Sequence, residues 1–339
     1  MSWSRGNTEA NVKSTALRAV VCRELGPPGR LRLEEFVSKP LAPGRVRIAV
    51  RAAGINFPDI LMAAGEYQLK PELPFTPGME AAGDVVEVNG VAGVTVGDRV
   101  IVKMRHGAYC DEAVVAPSQL TPLPSTFDYA EGATFLAAHG TAYHGLIDRG
   151  QVQPGEVLLV HGAGGGVGLA AVEIGKLLGA TVIAAASSEE KLDVARARGA
   201  DHLVLYAKEP FRDAVKRITD GRGADVVYDP VGGPIFEESI RCIAWGARLL
   251  VIGFTGGIGL ARTNLLLIKG ASVLGVRAGE AVRKNPALGE VRIAKLLEWA
   301  EQGKIRPNVS HRLPLQDYAA AMQLLVDRKA IGRVALTMG

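Results

Sequence analysis

Cysteine is almost missing: there are three in 339 residues, at positions 22, 110 and 242. No CxxC pair exists, so neither a zinc ribbon nor a disulfide framework is available. Each reads as a small buried hydrophobe in a reducing compartment, with the cytoplasm as the expected location. Aromatics are only 5% of the chain, and the charge excess is small, 39 basic against 35 acidic side chains or a net +4. With no Lys/Arg block and few rings on which bases could stack, no nucleic-acid partner is expected. No apolar run reaches ~18 residues without a charge or a glycine, so no membrane span is expected either. The opening, MSWSRGNTEANVKSTALR, lacks the apolar stretch of a secretory signal. Residues 1–17 read as a flexible extension, though their Ser and Arg content also suits a transit peptide.

What is abundant is glycine, 41 residues, in a chain that is 48% apolar and 22% charged. This is globular composition with many tight turns, and its length suits two domains at ~150 residues each. From Ala19 to Leu123 the text is short β-type runs broken by Gly and Pro. VRIAVRAAG (46–54), MEAAGDVVEVN (79–89) and DRVIVK (98–103) are the clearest, and no helical period is legible before Tyr129. Beyond Pro154 short apolar strands alternate with helical stretches: EVLLVHG (156–162), TVIAAA (181–186), HLVLY (202–206), DVVYDPV (225–231), ARLLVIGF (247–254) and ASVLGVR (271–277). That alternation specifies a parallel sheet covered on both faces. Helices at 291–302 and 316–328 and a strand at 333–338 close the chain.

The segment HGAGGGVGLAAVEIGKLLGA carries the chemistry. Gly162, Gly165 and Gly168 form a G-x-x-G-x-x-G frame at a strand-to-helix turn, with Gly166 and Val167 inside it. Glycines let the backbone approach a pyrophosphate, whose charge then meets the free N–H groups and positive end of the helix. The surrounding strand–helix–strand unit of about 30 residues is the context that gives such a frame meaning. NAD-binding folds end their second strand in Asp or Glu, about 20 residues on, to accept the ribose hydroxyls. Here the strand ends in Ala186, Ser187 and Ser188, while Glu189 and Glu190 fall where the next helix begins and can serve its dipole.

The runs AAGINFPDI (52–60), PFTPGMEAAGDVVEVN (74–89), VGDRVIV (96–102), HGTAYHGL (139–146), VLLVHGAGGGVGLAAVEIGKLLGA (157–180), DVVYDPVGG (225–233) and IGRVAL (331–336) occur in this order across nearly the whole chain. Together they resemble the medium-chain dehydrogenase/reductase superfamily, and within it the zinc-free quinone oxidoreductases related to ζ-crystallin. The resemblance implies an α/β fold. A Rossmann doubly wound parallel sheet (139–281) would sit inside a GroES-like, mostly antiparallel β catalytic domain (18–138 and 282–339). The metal-dependent relatives place zinc ligands where this chain has Asn56, Met79 and Ala137, so no metal is expected. Alcohol oxidation would then lack its Lewis acid, whereas reduction of a conjugated acceptor needs none.

The same resemblance implies a zinc-independent, NADPH-dependent reductase of quinones or α,β-unsaturated carbonyls, working as a homodimer through the edge strand near 271–277. It places Asn56, Thr141 and the backbone of Gly253, Phe254 and Thr255 around the nicotinamide, and Tyr67 in the substrate pocket. Lys191, Tyr206 and Arg328 would hold the 2′-phosphate, and Ser187 and Ser188 would also bind the coenzyme. Two other readings stay open. Asn56, Asp59, Gly65 and Tyr67 also match the N-x-x-D…G-x-Y pattern of enoyl-thioester (enoyl-CoA) reductases, and ζ-crystallins themselves serve structural and RNA-binding roles.

Overall fold

The computed structural model describes residues 16–339. The extension expected at 1–17 lies outside the described residues up to position 15, and Leu17 already belongs to a strand, Leu17–Val21. Six parallel strands form one sheet in the order His202–Leu205, Thr181–Ala186, Val157–Val160, Ala224–Asp229, Ile243–Val251, Ser272–Gly275. Numbered in chain order this is 3-2-1-4-5-6, the doubly wound order in which the connections reverse between the first and fourth strands. Alternate residues serve opposite faces: Leu158 and Val160 enter one core, Val157 and Leu159 the other. Helix Gly166–Leu177 covers the first face and Phe211–Ile218 the second.

The second domain is a seven-stranded sheet built from both chain ends. Its path runs Val309–Pro314, Arg333–Thr337, Arg45–Ile55, Glu80–Asn89, Arg99–Lys103, Leu120–Pro122, and Glu112–Val115 pairs with Arg45–Ile55. All its pairings are antiparallel except that of Val309–Pro314 with Arg333–Thr337. A hairpin of Leu17–Val21 and Arg32–Phe36 lies beside it. The two domains share a core in which Ala52, Ala82 and Ile101 of the mixed sheet join Leu158, Val160, Tyr228 and Leu250 of the parallel one.

Three features differ from the sequence reading. Helix Leu136–Tyr143 runs without a break across the expected domain junction at 138/139 and passes into a wider turn at His144–Arg149. Helix Phe57–Ala63 lies inside a region expected to be free of helix; Asn56 caps it, and at seven residues it is too short to show a period. Near the C-terminus, helix Pro286–Glu301 begins five residues earlier than the apolar spacing suggested, because Pro286 opens it.

Candidate active site

The glycine frame sits at the carboxyl end of Val157–Val160, at the point where the strand order reverses. Gly162 adopts a φ of +57°, and the Gly165 N–H donates to its carbonyl at 2.9 Å. A Cβ on Gly168 would lie 2.3 Å from that same carbonyl oxygen, so no other residue fits there. Gly165 caps helix Gly166–Leu177 and offers no side chain to its first turn. The N–H groups of that turn and the helix dipole therefore face the crevice, and this cradle fits a pyrophosphate.

Beyond the second strand, the Ser188 hydroxyl accepts the Lys191 N–H (3.4 Å) and caps helix Glu189–Ala197. The Lys191 ammonium donates to the Arg328 carbonyl at 2.7 Å and to the Ser187 hydroxyl at 3.3 Å. Arg328, itself at a φ of +57°, extends its guanidinium to the Thr255 carbonyl at 2.8 Å. Burial and the neighbouring Arg328 guanidinium lower the Lys191 pKa, with Glu190 opposing. Ser187, Ser188, Lys191 and Arg328, which are up to 141 positions apart in sequence, thus converge on one cationic corner.

Tyr206 does not extend to that corner in the expected way. Ser239 Oγ donates to the Ile235 carbonyl (2.7 Å), so His161 Nε2, at 2.8 Å from that oxygen, carries a proton and donates. His161 Nδ1 is then the acceptor for the Tyr206 hydroxyl at 2.9 Å, and the Tyr206 oxygen accepts the Gly162 N–H at 3.4 Å. Complete burial drives the His161 pKa down to about 3, which keeps this tautomer neutral. The one hydroxyl proton of Tyr206 is committed to His161, while its oxygen meets the glycine loop at the Gly162 N–H.

The opposite wall comes from the mixed sheet. Asn56 is buried; its Oδ1 accepts from the Arg333 guanidinium at 2.8 Å, and its N–H donates to Asp59 at 2.9 Å. Tyr109 donates its hydroxyl to the same Asp59 oxygen at 2.9 Å. Glu80 accepts the N–H groups of Leu136 and Ala137, the latter at 3.1 Å, and stands 3.7 Å from Arg333. Burial pushes the Asp59 carboxyl up to about 6 and Glu80 up to about 7, with the Arg333 guanidinium and backbone N–H groups opposing in both cases. Arg333 is in turn shifted down by its own burial. Thr141 donates to the Ala137 carbonyl at 2.7 Å, so its hydroxyl oxygen is left to accept. Tyr67 is half-buried against the mixed-sheet core, and among the described residues its hydroxyl has no partner. Gly253, Phe254 and Thr255 follow strand Ile243–Val251 beside Asp229; the Thr255 N–H donates to the Pro230 carbonyl at 3.4 Å, and the Phe254 ring is half-exposed.

Sequence reasoning singled out Asp59 only within the N-x-x-D pattern and passed over Glu80, Tyr109 and Arg333 as site residues. Their signal was there: a charge next to or inside an otherwise apolar strand, as in PGMEAAG and GRVAL, has to find a buried partner. The two walls are joined directly. The Gly332 N–H donates to the Gly164 carbonyl at 2.7 Å, and a Cβ on Gly166 would lie 2.3 Å from the Arg333 Cδ. Among the described residues no group of three or more His, Cys, Asp or Glu side chains gathers as a metal site.

The alcohol dehydrogenase GroES-like domain model matches residues 42–141, and the zinc-binding dehydrogenase model matches 166–292. A quinone oxidoreductase-like protein 2 homolog from Nematostella vectensis is 39% identical over 324 residues, covering 94% of this chain and 88% of the relative. The chain belongs to the quinone oxidoreductase-like family of the medium-chain dehydrogenase/reductase superfamily. Solved members of the superfamily share its fold. A probable oxidoreductase from Mycobacterium abscessus superposes with a TM-score of 0.87 at 36% identity, covering 96% of this chain and 99% of that one. The Escherichia coli quinone oxidoreductase, solved in complex with NADPH, does so with a TM-score of 0.86 at 28% identity, covering 94% and 99%.

Proposed function

We propose that the protein is a zinc-independent, NADPH-dependent reductase of quinones or α,β-unsaturated carbonyls. The observation that carries this reading is the pairing of a glycine-framed helix whose first turn has no side-chain cap with the cationic corner of Lys191 and Arg328. The N–H groups of Gly166, Val167 and Gly168 would hold the pyrophosphate, with Gly162 and Gly165 shaping the loop. Ser187, Ser188, Lys191 and Arg328 would hold a 2′-phosphate, with Tyr206 bracing the loop from below. When bound, the reduced coenzyme supplies a hydride.

Each residue around the ring site has a separate task. Asn56, fixed by Arg333, limits where a ring can lie, and the Thr141 oxygen accepts from an amide N–H. The backbone at Gly253, Phe254 and Thr255 closes the far side. Tyr67 offers a hydroxyl to an oxygen that gains negative charge as the acceptor is reduced. Each neutral acceptor ends protonated, with water or a hydroxyl giving the proton.

The same reading includes a homodimer in the cytoplasm. Trp245, Leu267 and Ile268 are exposed beside the edge strand Ser272–Gly275, an apolar surface suited to a second copy. All three cysteines are free and buried, in keeping with a reducing compartment. NADPH oxidation measured against quinones, enones and enoyl-CoA thioesters tests the function. Turnover of quinones or simple enones supports it, turnover of the thioester alone favours the enoyl-thioester reductase reading, and no turnover of any acceptor rejects both.

A further inference from the structure

Lys103 ends strand Arg99–Lys103 and stands directly opposite Glu80 in the antiparallel register. Residues facing each other across such a pair have Cβ atoms about 5 Å apart on one face of the sheet. The face is identified by their neighbours. Ala82 and Ile101, two positions away on each strand, enter the core shared with the parallel-sheet domain, whereas Ala81, Val100 and Val102 enter the core of the mixed-sheet domain. Lys103 therefore projects toward the crevice, from the wall that also carries Glu80, Arg333 and Asn56.

Its surroundings are unusual for a lysine. The side chain is accessible to solvent, yet protein surrounds it closely enough for desolvation to be the largest influence on its ammonium. The charges acting on it are the Glu80 carboxylate and, from the helices on the other side, the guanidinium groups of Arg292 and Arg283. Both arginines already have carboxylate partners: Arg292 pairs with Asp148 at 3.0 Å and Arg283 with Glu280 at 2.6 Å. Glu80 Oε1 takes the backbone N–H groups of Leu136 and Ala137, and its Oε2 has no hydrogen-bond partner and stands 3.7 Å from the Arg333 guanidinium. Among the described residues the Lys103 ammonium has no acceptor, so it brings into the crevice a cation with three unused donors.

We infer that Lys103 is a substrate-binding residue, whose ammonium takes the oxygen of the electron acceptor that carries negative charge. The substrate class this selects is an oxyanion or an acceptor whose oxygen becomes one on reduction, in preference to acceptors without such an oxygen. The inference rests on the reductase reading above, and its test separates the two.

The test uses the full chain saturated with NADP+, which closes the coenzyme site to competing anions. Calorimetric titration with 2-hydroxy-1,4-naphthoquinone, an anion at neutral pH, and with uncharged 1,4-naphthoquinone reads substrate binding alone. Lys103→Met should weaken the anion by about tenfold or more and the neutral quinone far less, since a hydrogen bond to a charged group is at stake. Lys103→Arg should restore the anion to within about threefold, because it keeps the charge but not the shape. The NADPH dissociation constant, read by fluorescence, should not move in either variant. Anion binding by Lys103→Met as tight as in the wild type overturns the inference, and so does an equal loss for both quinones. If instead the wild type binds the anion through Lys103 yet oxidises NADPH with no acceptor, the reductase reading falls and the anion site stands.

Discussion

Replacing Lys191 by alanine tests coenzyme choice at a single atom group. The Lys191 stem packs over the glycine loop: a Cβ on Gly164 would lie 2.5 Å from the Lys191 Cβ. Alanine keeps that Cβ but removes, along with the ammonium, the Cγ and Cδ methylenes that also lie over Gly164. Two of the ammonium's donors are engaged, at Arg328 O and Ser187 Oγ, which leaves one for a phosphate oxygen. A hydrogen bond to a charged group contributes ~1.5–3 kcal/mol, and ~1.4 kcal/mol is a factor of ten in affinity. Because the lysine is half-buried and Arg328 remains, the lower end applies, and the NADPH dissociation constant should rise about tenfold. NADH lacks the 2′-phosphate and should change by less than about twofold. Nicotinamide fluorescence at fixed ionic strength gives both constants, and the NADPH value should also lose part of its salt dependence in the variant. Equal changes for the two coenzymes would refute the assignment, and so would an unchanged NADPH value.

Three further outcomes concern the mixed-sheet wall. Arg333→Met removes the cation between Glu80 and Asp59 and should lower stability at pH 8 by about 3–5 kcal/mol in urea unfolding, with a smaller loss at pH 5, where both carboxyls hold protons. A loss below about 1 kcal/mol at pH 8 would show that the guanidinium is not needed there. The folded chain keeps the Glu80 proton up to about pH 7, while the unfolded chain releases it near 4.5, so the stability from this group is present below that lower pH and is lost as pH rises. Glu80→Gln should therefore gain Tm relative to the wild type between pH 5 and pH 8, and a difference that does not grow with pH argues against the buried proton. Tyr67→Phe should lower kcat/KM for at least one acceptor with NADPH binding unchanged, and no change for any active acceptor removes the hydroxyl from the mechanism.

The coenzyme half of the site was legible because its determinants are local. Gly162, Gly165 and Gly168 lie within one turn of chain, and the strand–helix alternation around them fixes where that turn sits in the sheet. The missing acidic residue after Ala186 could be read in the same way, and the cationic corner was legible through resemblance. The buried charges were not, because their meaning is relational. Glu80 and Arg333 are 253 positions apart, and a charge in an apolar strand says that it needs a buried partner but not which residue that is. The commitment of the Tyr206 hydroxyl depends on His161, 45 positions away, and on a tautomer set by Ser239 beyond it. Helix Phe57–Ala63 was hidden by its length and by Pro58, which reads as a turn when it is in fact seated in the first helical turn.

The dipeptide Gly332–Arg333 explains why the two halves belong to one site. Gly332 has a φ of +87°, and a Cβ there would lie 2.2 Å from the Asn308 carbonyl oxygen, so only glycine fits at this position. Its N–H ties the strand to Gly164, and the next side chain, Arg333, runs past Gly166 to hold Asn56. A ligand seated on the glycine loop and a ring seated against Asn56 are therefore registered to each other through two consecutive residues of a third segment. The contact from the loop to Asn56 runs through the buried Arg333 side chain rather than a flexible linker. Gly166 is small for the same reason that Arg333 is long: one vacates the space that the other must cross. The domain contact and the alignment of the reacting groups thus rest on one set of interactions, and a substitution that loosens one should loosen the other.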